Sequence, residues 1–299
     1  MQLDDIDGVG PTTKESLKDV GISTIDDLAS SSVEDITEAG ISESRANGFK
    51  YKAKQNTIEI QTGNEVQEEY DNKNKVKTNI ENLDEALEGG VEENAVISIF
   101  GESGTGKSQL AQKLLVEGYE QTGKPSILIE TERDRFRPKR AESIASDEET
   151  VNNIHRVKAY TLDKQYSSYD KVMETFNEAS VVVVDSLTAR IRLSSTFDGR
   201  GTLSERSSEL GKHLVKLEEM AERLNCPVLF TNQIYKNPDS YGKNVIEYGG
   251  SKIQHSATFR LYMSKAKGEL FEAEVQKHPS TGDTSVLIDI GDDDITGVN

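Results

Sequence analysis

GESGTGKS, residues 101–108, is the stretch of this sequence that decides its fold. It follows the apolar run NAVISIF (94–100) and is followed by the helical pattern SQLAQKLLVEGY (108–119). The pattern G-x-x-x-x-G-K-[ST] between a strand and a helix is typical of a loop whose backbone N–H groups surround phosphate oxygens. The N-terminal end of the helix adds a positive dipole at the same place. The sequence therefore predicts an α/β domain that holds the phosphates of a nucleotide at this turn.

Individual residues of this loop have separate expected roles. Lys107 should reach the β- and γ-phosphates, and Ser108 should bind Mg²⁺. A second candidate magnesium ligand, Asp185, ends the apolar strand VVVVD (181–185) and would act through water. We therefore expect ATP and Mg²⁺ as ligands. The nucleotide contacts expected in the loop are Gly101, Glu102, Ser103, Gly104, Thr105, Gly106, Lys107, Ser108 and Gln109.

Strand-like and helical patterns alternate from Lys77 to the C-terminus. The apolar runs that predict its strands lie at 95–100, 126–130, 181–185 and 227–232. This alternation is typical of a mostly parallel sheet that is covered by helices on both faces. Near the end, the stretch 270–294 alternates and contains Gly-Asp, which predicts a closing hairpin.

The beginning of the chain has a different pattern. Residues 1–54 contain short helical segments that begin at Thr13, Thr24, Ser32 and Ser42, residue types that favour a helix N-cap. Residues 55–76 are polar and lack a clear apolar face, so they are expected to be a linker. The predicted organisation is a small all-α domain at 1–54, a linker at 55–76 and an α/β core at 77–299.

Nucleotide hydrolysis needs a group that orients or deprotonates the attacking water. Glu132 follows the predicted strand at 126–130 and should lie near the carboxyl edge of the sheet, where ligands bind in such folds. We expect Glu132 to be the water-activating group. The alternative is a solvated surface carboxylate without a catalytic role.

The composition is strongly acidic, with 53 Asp and Glu against 35 Lys and Arg and a net charge of −18. Two interpretations remain open: an ordinary acidic cytoplasmic protein, or one with moderate salt adaptation, since the Debye length falls to about 3 Å at 1 M salt. No apolar run of about 18 residues and no secretory signal is found, so we expect a cytoplasmic protein without membrane association. The single cysteine, Cys226, excludes an internal disulfide, and we expect no structural metal site.

Arginines surround a glycine-rich turn in STFDGRGTLSERSSEL (195–210). Arg200 and Arg206 are candidate phosphate contacts, because a guanidinium can bind phosphate with two hydrogen bonds. Thr202 and Glu205 have the T-x-x-E spacing of a capping box, which predicts the start of a helix. The leucines expected on the buried face of that helix are Leu203, Leu210, Leu214, Leu217 and Leu224. The alternative is a solvated loop with incidental arginines.

Six motifs occur in order along the core: GESGTGKSQL, ETERDRFRPKR, VVVVDSLTA, GRGTLSERSSELGKHL, TNQI and GGSKIQHSATFRLYM. With these motifs the core resembles the archaeal RadA recombinases, relatives of bacterial RecA. The N-terminal IDGVGPTTKESLKDVGISTIDDLA is similar to the helix-hairpin-helix domain of those proteins. The resemblance covers nearly the whole chain. It implies a RecA-like P-loop ATPase core with a mostly parallel central sheet, preceded by a small all-α helix-hairpin-helix domain at residues 1–54.

The resemblance also implies roles at the nucleotide. Glu132 matches the glutamate that activates water, and Gln233 matches the residue that senses the γ-phosphate. With Lys107 they are the implied catalytic residues. Arg140 matches an arginine that stacks on adenine, and His255 matches a residue near the γ-phosphate that couples the nucleotide and DNA sites. A purely structural role for His255 is the alternative that its sequence context favours.

DNA contacts are implied in two loops and in the N-terminal domain. The first loop carries GRGTLSER, and the second runs from about Tyr235 to Gly250 and offers charges and stacking faces for single-stranded DNA. The GVGP turn would let backbone N–H groups approach a duplex phosphate, although a protein–protein role for this domain is the alternative. The implied DNA-binding residues are Arg192, Arg200, Arg206, Lys236, Lys243, Gly8 and Gly10.

The segment used for self-assembly is one place where this chain departs from the family. Family members polymerise by inserting a Phe-x-x-Ala segment into the neighbouring protomer, and here Ile60 and Gly63 stand at those positions. The smaller anchor would bury less apolar area, which costs about 1 kcal/mol per contact. We therefore expect a filament that is weaker or more dependent on DNA and salt.

Two functions are compatible with these observations. The first is a DNA-dependent ATPase that forms filaments on single-stranded DNA and exchanges strands in recombinational repair. The second is a recombinase paralogue that binds ATP and DNA and loads or regulates a recombinase without exchanging strands. The expected partners are single- and double-stranded DNA, further copies of the chain in a filament or ring, and other recombination proteins, in a cytoplasmic, nucleoid-associated location.

Overall fold

The structure is a computed structural model that describes residues 3–58, 60–194, 202–236 and 245–298. For Lys236 and Val245 it describes the backbone but not the side chain. The chain divides into two compact units, Met1–Asn72 and Lys73–Asn299.

The N-terminal unit is helical around one small core. Its helices are α1 Pro11–Asp19, α2 Ile25–Ser30, α3 Val33–Glu38, α4 Glu43–Asn56 and α5 Gly63–Asp71. Side chains from separate helices pack together here, among them Leu17, Leu28, Ile36 and Phe49, each at most 5% exposed.

Two of the predicted helix caps are confirmed. Thr24 and Ser32 each form a reciprocal capping box with an aspartate three residues later, at the start of α2 and α3. The predicted threonine cap of α1 is wrong, because α1 begins at Pro11 with Gly10 as its N-cap and no side-chain cap. Proline suits this first helical position, since its φ is already helical and it has no N–H to satisfy.

The predicted linker at 55–76 is not irregular throughout, since α5 lies within it. A capping box of Thr62 and Glu65 starts this helix, and none of its residues is buried. A helix without a buried face has no apolar period, so periodicity missed it and only the T-x-x-E spacing signalled it. The compact core also begins at Lys73 rather than at residue 77, because β1 (Lys75–Val76) pairs with β2 (Val91–Glu92).

The second unit is built on a ten-stranded sheet. Its strands are β3 Val96–Gly101, β4 Ser126–Glu130, β5 Ile154–Lys158, β6 Val181–Asp185, β7 Val228–Lys236, β8 Val245–Glu247, β9 Phe259–Lys265, β10 Phe271–Lys277, β11 Thr284–Ile290 and β12 Ile295–Val298. The order is β12-β11-β10-β9-β3-β7-β6-β4-β5, with β8 paired to β7. Strands β9 through β5 in this order are parallel, and β10, β11 and β12 add antiparallel pairs, which confirms the closing hairpin.

Helices cover both faces of this sheet. They are α6 Glu81–Ala86, α7 Lys107–Thr122, α8 Pro138–Ile144, α9 Glu148–Asn152, α10 Leu162–Thr175, α11 Ala189–Leu193, α12 Leu203–Leu224 and α13 Ser251–Ser256. Alternate residues of β6 enter two separate hydrophobic clusters, Val181 and Val183 on one face and Val182 and Val184 on the other. Leucines of α7 fill the first cluster and leucines of α12 the second. The predicted parallel sheet with two covered faces is confirmed.

The start of α12 differs from its prediction. Leu210, Leu214, Leu217 and Leu224 are buried as expected, but Leu203 is 63% exposed. The side chain of Thr202 makes no capping hydrogen bond, so the predicted capping box does not form. Leucine spacing defines a helix face but does not say which turns reach a packing surface, and the first turn of α12 does not.

Candidate functional site

The phosphate loop lies between β3 and α7 and depends on glycine at two positions. Gly101 has φ +157°, and a Cβ there would lie 2.1 Å from the carbonyl oxygen of Met263 on the neighbouring strand β9. Gly106, the N-cap of α7, has φ +85°, a backbone conformation that side chains rarely adopt. The loop therefore brings backbone N–H groups close to the start of α7, where a phosphate binds favourably.

Beside this loop a cleft of about 530 Å³ opens at the carboxyl edge of the parallel strands. The expected site residues that line it are Ser103, Gly104, Thr105, Gly106, Lys107, Ser108, Gln109, Glu132, Arg140, Asp185 and Gln233. Lining residues that sequence reasoning did not assign include Gln112, Asp134, Arg135, Arg137, Asn232 and Asp292. Gly101 and Glu102 border an adjoining pocket with Gln233. The volume is in the range of small-molecule sites, about 300–1,000 Å³.

Lys107 is 9% exposed at the first position of α7. Its ammonium donates hydrogen bonds to the carbonyl oxygen of Glu102 and, at 3.4 Å, to the hydroxyl of Thr105. Burial lowers the pKa of Lys107 to about 8, and the nearby Asp185 acts in the opposite direction. The hydrogen bonds of this buried ammonium to described residues go to loop oxygens, and a phosphate that enters the cleft would be a much stronger partner.

Asp185 ends β6 and is 5% exposed. Its carboxylate accepts hydrogen bonds from the hydroxyls of Thr231 and Ser108. Burial raises the pKa of Asp185, while those two hydrogen bonds lower it. A carboxylate and a serine hydroxyl in contact beside a phosphate loop are the oxygen ligands that Mg²⁺ prefers, so these two residues fit the ion.

Glu132 lies on the segment that connects β4 to α8. Its Oε1 accepts a hydrogen bond of 3.2 Å from Nη2 of Arg135. Its side chain is 21% exposed, which leaves the carboxylate accessible from the cleft that it lines. The expected role of Glu132, activation of the attacking water, requires a carboxylate that is accessible from the cleft.

Arg140 on α8 provides the test of whether a nucleotide fits the cleft. Its Nη1 donates to the carbonyl oxygen of Asp292, while Nε and Nη2 are buried without a hydrogen-bond partner in the part of the chain that the structure describes. Buried orphan donors at the wall of a cleft are costly unless a ligand satisfies them. Together with the phosphate loop, they fit a nucleotide whose base lies toward Arg140.

Gln233 on β7 lines the cleft and also contacts α11, the helix that follows β6 in the chain. Its Oε1 accepts a hydrogen bond of 2.7 Å from Nη1 of Arg192 on α11. The guanidinium of Arg192 also lies 5.6 Å from the centre of the Tyr248 ring. The backbone of Tyr248 in turn donates to the carbonyl oxygen of Gln233 at 2.9 Å. A cleft residue and a predicted DNA-binding arginine are thus in direct contact.

Strand β8 is fixed to β7 by a buried carboxylate that sequence reasoning missed. Glu247 is 1% exposed and binds Arg260 of β9 through Nε at 3.1 Å and Nη2 at 3.0 Å. It also accepts from Asn232 at 3.0 Å and from the hydroxyl of Ser98. Removing one partner of such a network would leave a buried charge unpaired. The network holds β8 against β7, the strand that carries Gln233.

Of the remaining predicted site residues, those that the structure describes do not line the cleft. Arg206 is half-buried in the first turns of α12, and Gly8 and Gly10 precede α1 in the N-terminal unit. His255 is exposed on α13 and is not among the residues that line the cleft, so its coupling role stays a prediction. Arg200 and Lys243 lie outside the described residues, as does the side chain of Lys236.

Among the described helices, none is long and apolar enough to span a bilayer.

Comparison with known proteins agrees with this geometry. The Rad51 family model matches residues 71–298, and a SAM-like helix-hairpin-helix tandem matches residues 1–47. The chain is 32% identical over 299 residues to the DNA repair and recombination protein RadA of Methanocorpusculum labreanum, covering 89% of this chain and 90% of that protein. It is 32% identical over 294 residues to the RadA protein of Methanoculleus marisnigri, covering 90% of each. The chain therefore belongs to the Rad51 family of recombinases, whose members are DNA-dependent ATPases.

Proposed function

We propose that this recombinase binds MgATP in the cleft between β3, β4, β6 and β7 and hydrolyses it while bound along single-stranded DNA. The observation that carries the proposal is the meeting of Lys107, Ser108, Glu132, Asp185 and Gln233 in one cleft. These five residues come from four separate segments of the chain, since Lys107 and Ser108 are adjacent, and they line one cleft, where we place the terminal phosphate.

Each side chain has a definite task in hydrolysis. Lys107 binds the β- and γ-phosphates, and the phosphate loop supplies N–H donors at the start of α7. Mg²⁺, held by Ser108 and Asp185, would neutralise charge on the phosphates. Glu132 orients the attacking water and accepts its proton. Arg140 packs beside the base.

DNA binding follows from the arginine-bearing segments that begin beyond Asp185. Arg192 and Arg206, with Arg200, Lys236 and Lys243, provide cations for phosphates, so affinity should fall with salt through counterion release. The N-terminal unit would bind duplex DNA through backbone N–H groups near Gly8 and Gly10. Assembly into a filament or ring, contact with other recombination proteins and a cytoplasmic, nucleoid-associated location all accord with this role.

The test is ATP turnover with and without single-stranded DNA, beside strand exchange between homologous oligonucleotides. We expect DNA to stimulate turnover. We expect Glu132→Gln to reduce turnover by about 10²- to 10⁴-fold, the range typical of a general base. The exposed Glu142→Gln on α8 is the matched control and should retain turnover. DNA-independent turnover without strand exchange would favour the recombinase-loading paralogue instead.

A further inference from the structure

Arg135 is the cleft residue whose position is least explained by its sequence context. It lies in the charged run ERDR (132–135) between β4 and α8, where a solvated surface loop is the ordinary expectation. In the structure it lines the cleft together with Lys107, Ser108 and Gln233. Its guanidinium Nη2 lies 3.2 Å from Oε1 of Glu132, the proposed water-activating group.

The backbone of Arg135 is fixed from two sides. Its N–H donates to Oε1 of Glu130 at 2.9 Å, and its carbonyl oxygen accepts from Nε2 of Gln112 on α7 at 3.0 Å. Glu130 is fully buried at the end of β4 and also accepts from the N–H of Phe136 at 3.0 Å and from the Tyr160 hydroxyl. A carboxylate with this many donors is a rigid anchor. The segment therefore projects Arg135 from a fixed point.

The side chain of Arg135, by contrast, is 44% exposed within the cleft. Among the residues that the structure describes, it forms one ion pair, with Glu132. Its positive charge also acts on two neighbours in the cleft. It helps to lower the pKa of Lys107, and it opposes the rise that burial causes in the pKa of Asp185. Two cations beside each other in a cleft are unfavourable unless an anion joins them.

We propose that Arg135 is an arginine supplied within the same protomer to bind the γ-phosphate of ATP. In the free protein its guanidinium is paired with Glu132. When ATP enters, the γ-phosphate takes the guanidinium, and the Glu132 carboxylate becomes available to the attacking water.

During hydrolysis the water oxygen forms a bond to the γ-phosphorus, the bond between that phosphorus and the ADP oxygen breaks, and Glu132 accepts the proton of the water. Arg135 stays protonated throughout and stabilises the charge on the transferring phosphoryl group, as arginines do in phosphoryl transfer. The inference rests on the proposed function, since it assigns a group to the same reaction.

Nucleotide binding separates this role from a structural one. We would measure the affinity of the full chain for ADP and for a non-hydrolysable β,γ-imido analogue of ATP, in the presence of Mg²⁺. Arg135→Ala should weaken binding of the analogue by about tenfold or more, as expected for a lost charge-assisted hydrogen bond, and ADP binding by less than about twofold. Arg135→Lys should recover part of the loss, because it keeps the charge but not the fork.

Arg133→Ala is the matched control. Arg133 lies on the same segment and carries the same charge, but its guanidinium lies 5.4 Å from the centre of the Tyr160 ring and it does not line the cleft. This variant should bind both nucleotides as the parent does. Melting temperatures of all variants would show whether each one folds.

The same substitution in Glu132→Gln protein tests whether Arg135 affects nucleotide binding only by way of its ion pair with Glu132. In Glu132→Gln protein, Arg135→Ala should still weaken the ATP analogue by about the same factor. Equal losses for ADP and the analogue, or no loss in the Glu132→Gln background, would overturn the inference. The proposed function fails separately, if the parent protein binds ATP but shows no DNA-stimulated turnover.

In turnover, Arg135→Ala should reduce kcat by about 10²- to 10³-fold, the usual effect of removing one donor to a developing charge. Unchanged kcat together with unchanged analogue binding would leave Arg135 without a role at the phosphate.

Discussion

Lys107 and Asp185 face each other at the end of the central sheet while both are largely buried, at 9% and 5% exposure. Burial lowers the pKa of Lys107 to about 8 and raises the pKa of Asp185, so each charge is costly without a strong partner. In the free protein these partners are a carbonyl oxygen and hydroxyl groups. A phosphate and a magnesium ion would replace them with full charges, which favours binding.

His213 offers a pH-dependent test of the same effect away from the cleft. It is fully buried on α12, with Nδ1 2.8 Å from the Tyr169 hydroxyl and Nε2 3.6 Å from Glu209, and burial lowers its pKa to about 4. The unfolded chain binds a proton below pH of about 6.5 that the native state rejects, so stability is lost as the pH falls from about 6.5 to about 4. At about pH 5 the loss should be on the order of 2 kcal/mol.

The measurement is the free energy of unfolding in urea at about pH 7.5 and about pH 5. His213→Gln should remove that part of the acid destabilisation, whereas His155→Gln, at an exposed histidine of β5, should not. Identical pH dependence in both variants would contradict the assignment.

At the scale of elements, apolar patterns predicted four central strands and the final hairpin, but they missed the buried strand β9 and the exposed helix α5. The four strongest strands and the final hairpin follow their patterns, because each buries side chains on a period that the sequence displays. Helix α5 buries no side chain, and the first turn of α12 leaves Leu203 exposed, so neither could be placed from apolar spacing.

Helix α11 and strand β7 are connected by the hydrogen bond from Arg192 to Gln233. If the γ-phosphate competes for Gln233, it would release Arg192, and this pair would then couple the proposed nucleotide and DNA sites. We expect Arg192→Ala and Gln233→Ala each to reduce the stimulation of ATP turnover by single-stranded DNA several-fold. The double variant should lose little more than either single variant, because both remove one interaction.

The measurement for this pair is the ratio of turnover with DNA to turnover without it. Arg223→Ala, at the exposed far end of α12, is the control and should keep the parental ratio. Fully additive losses in the double variant would show that Arg192 and Gln233 act independently.

At the scale of the whole molecule, the chain has a net charge of −18, and DNA, its proposed partner, is also anionic. The segment between α4 and α5 carries Ile60 with 94% of its surface exposed, at the position where family members place an aromatic anchor. The resemblance to the family, rather than this exposure alone, leads us to expect that Ile60 is buried against a second copy. Self-assembly would then place many cationic loops along one DNA strand.

Substitution of Ile60 tests this assembly. Ile60→Phe should raise the association constant between protomers about fivefold, which corresponds to about 1 kcal/mol of additional apolar burial, and Ile60→Ser should lower it. Sedimentation velocity with ATP analogue and single-stranded DNA would report the change. Val215→Ser removes a similarly exposed apolar side chain, 61% exposed on α12, and should leave assembly unaltered. Assembly that ignores both Ile60 variants would exclude this segment as the contact.

By itself the sequence determined the features whose cause is local. The phosphate loop needs glycine and a following helix, the sheet needs apolar runs, and Asp185 and Glu132 follow strands whose ends share an edge. The tertiary structure alone decided which distant groups meet. In the sequence, Arg135 belongs to a charged run that is typical of a surface loop. In the structure, hydrogen bonds from its backbone to Glu130 and Gln112 fix the segment so that Arg135 lines the cleft. Arg192 and Gln233 are far apart in sequence, and they meet because β6 and β7 are neighbours, a pairing that no local pattern encodes.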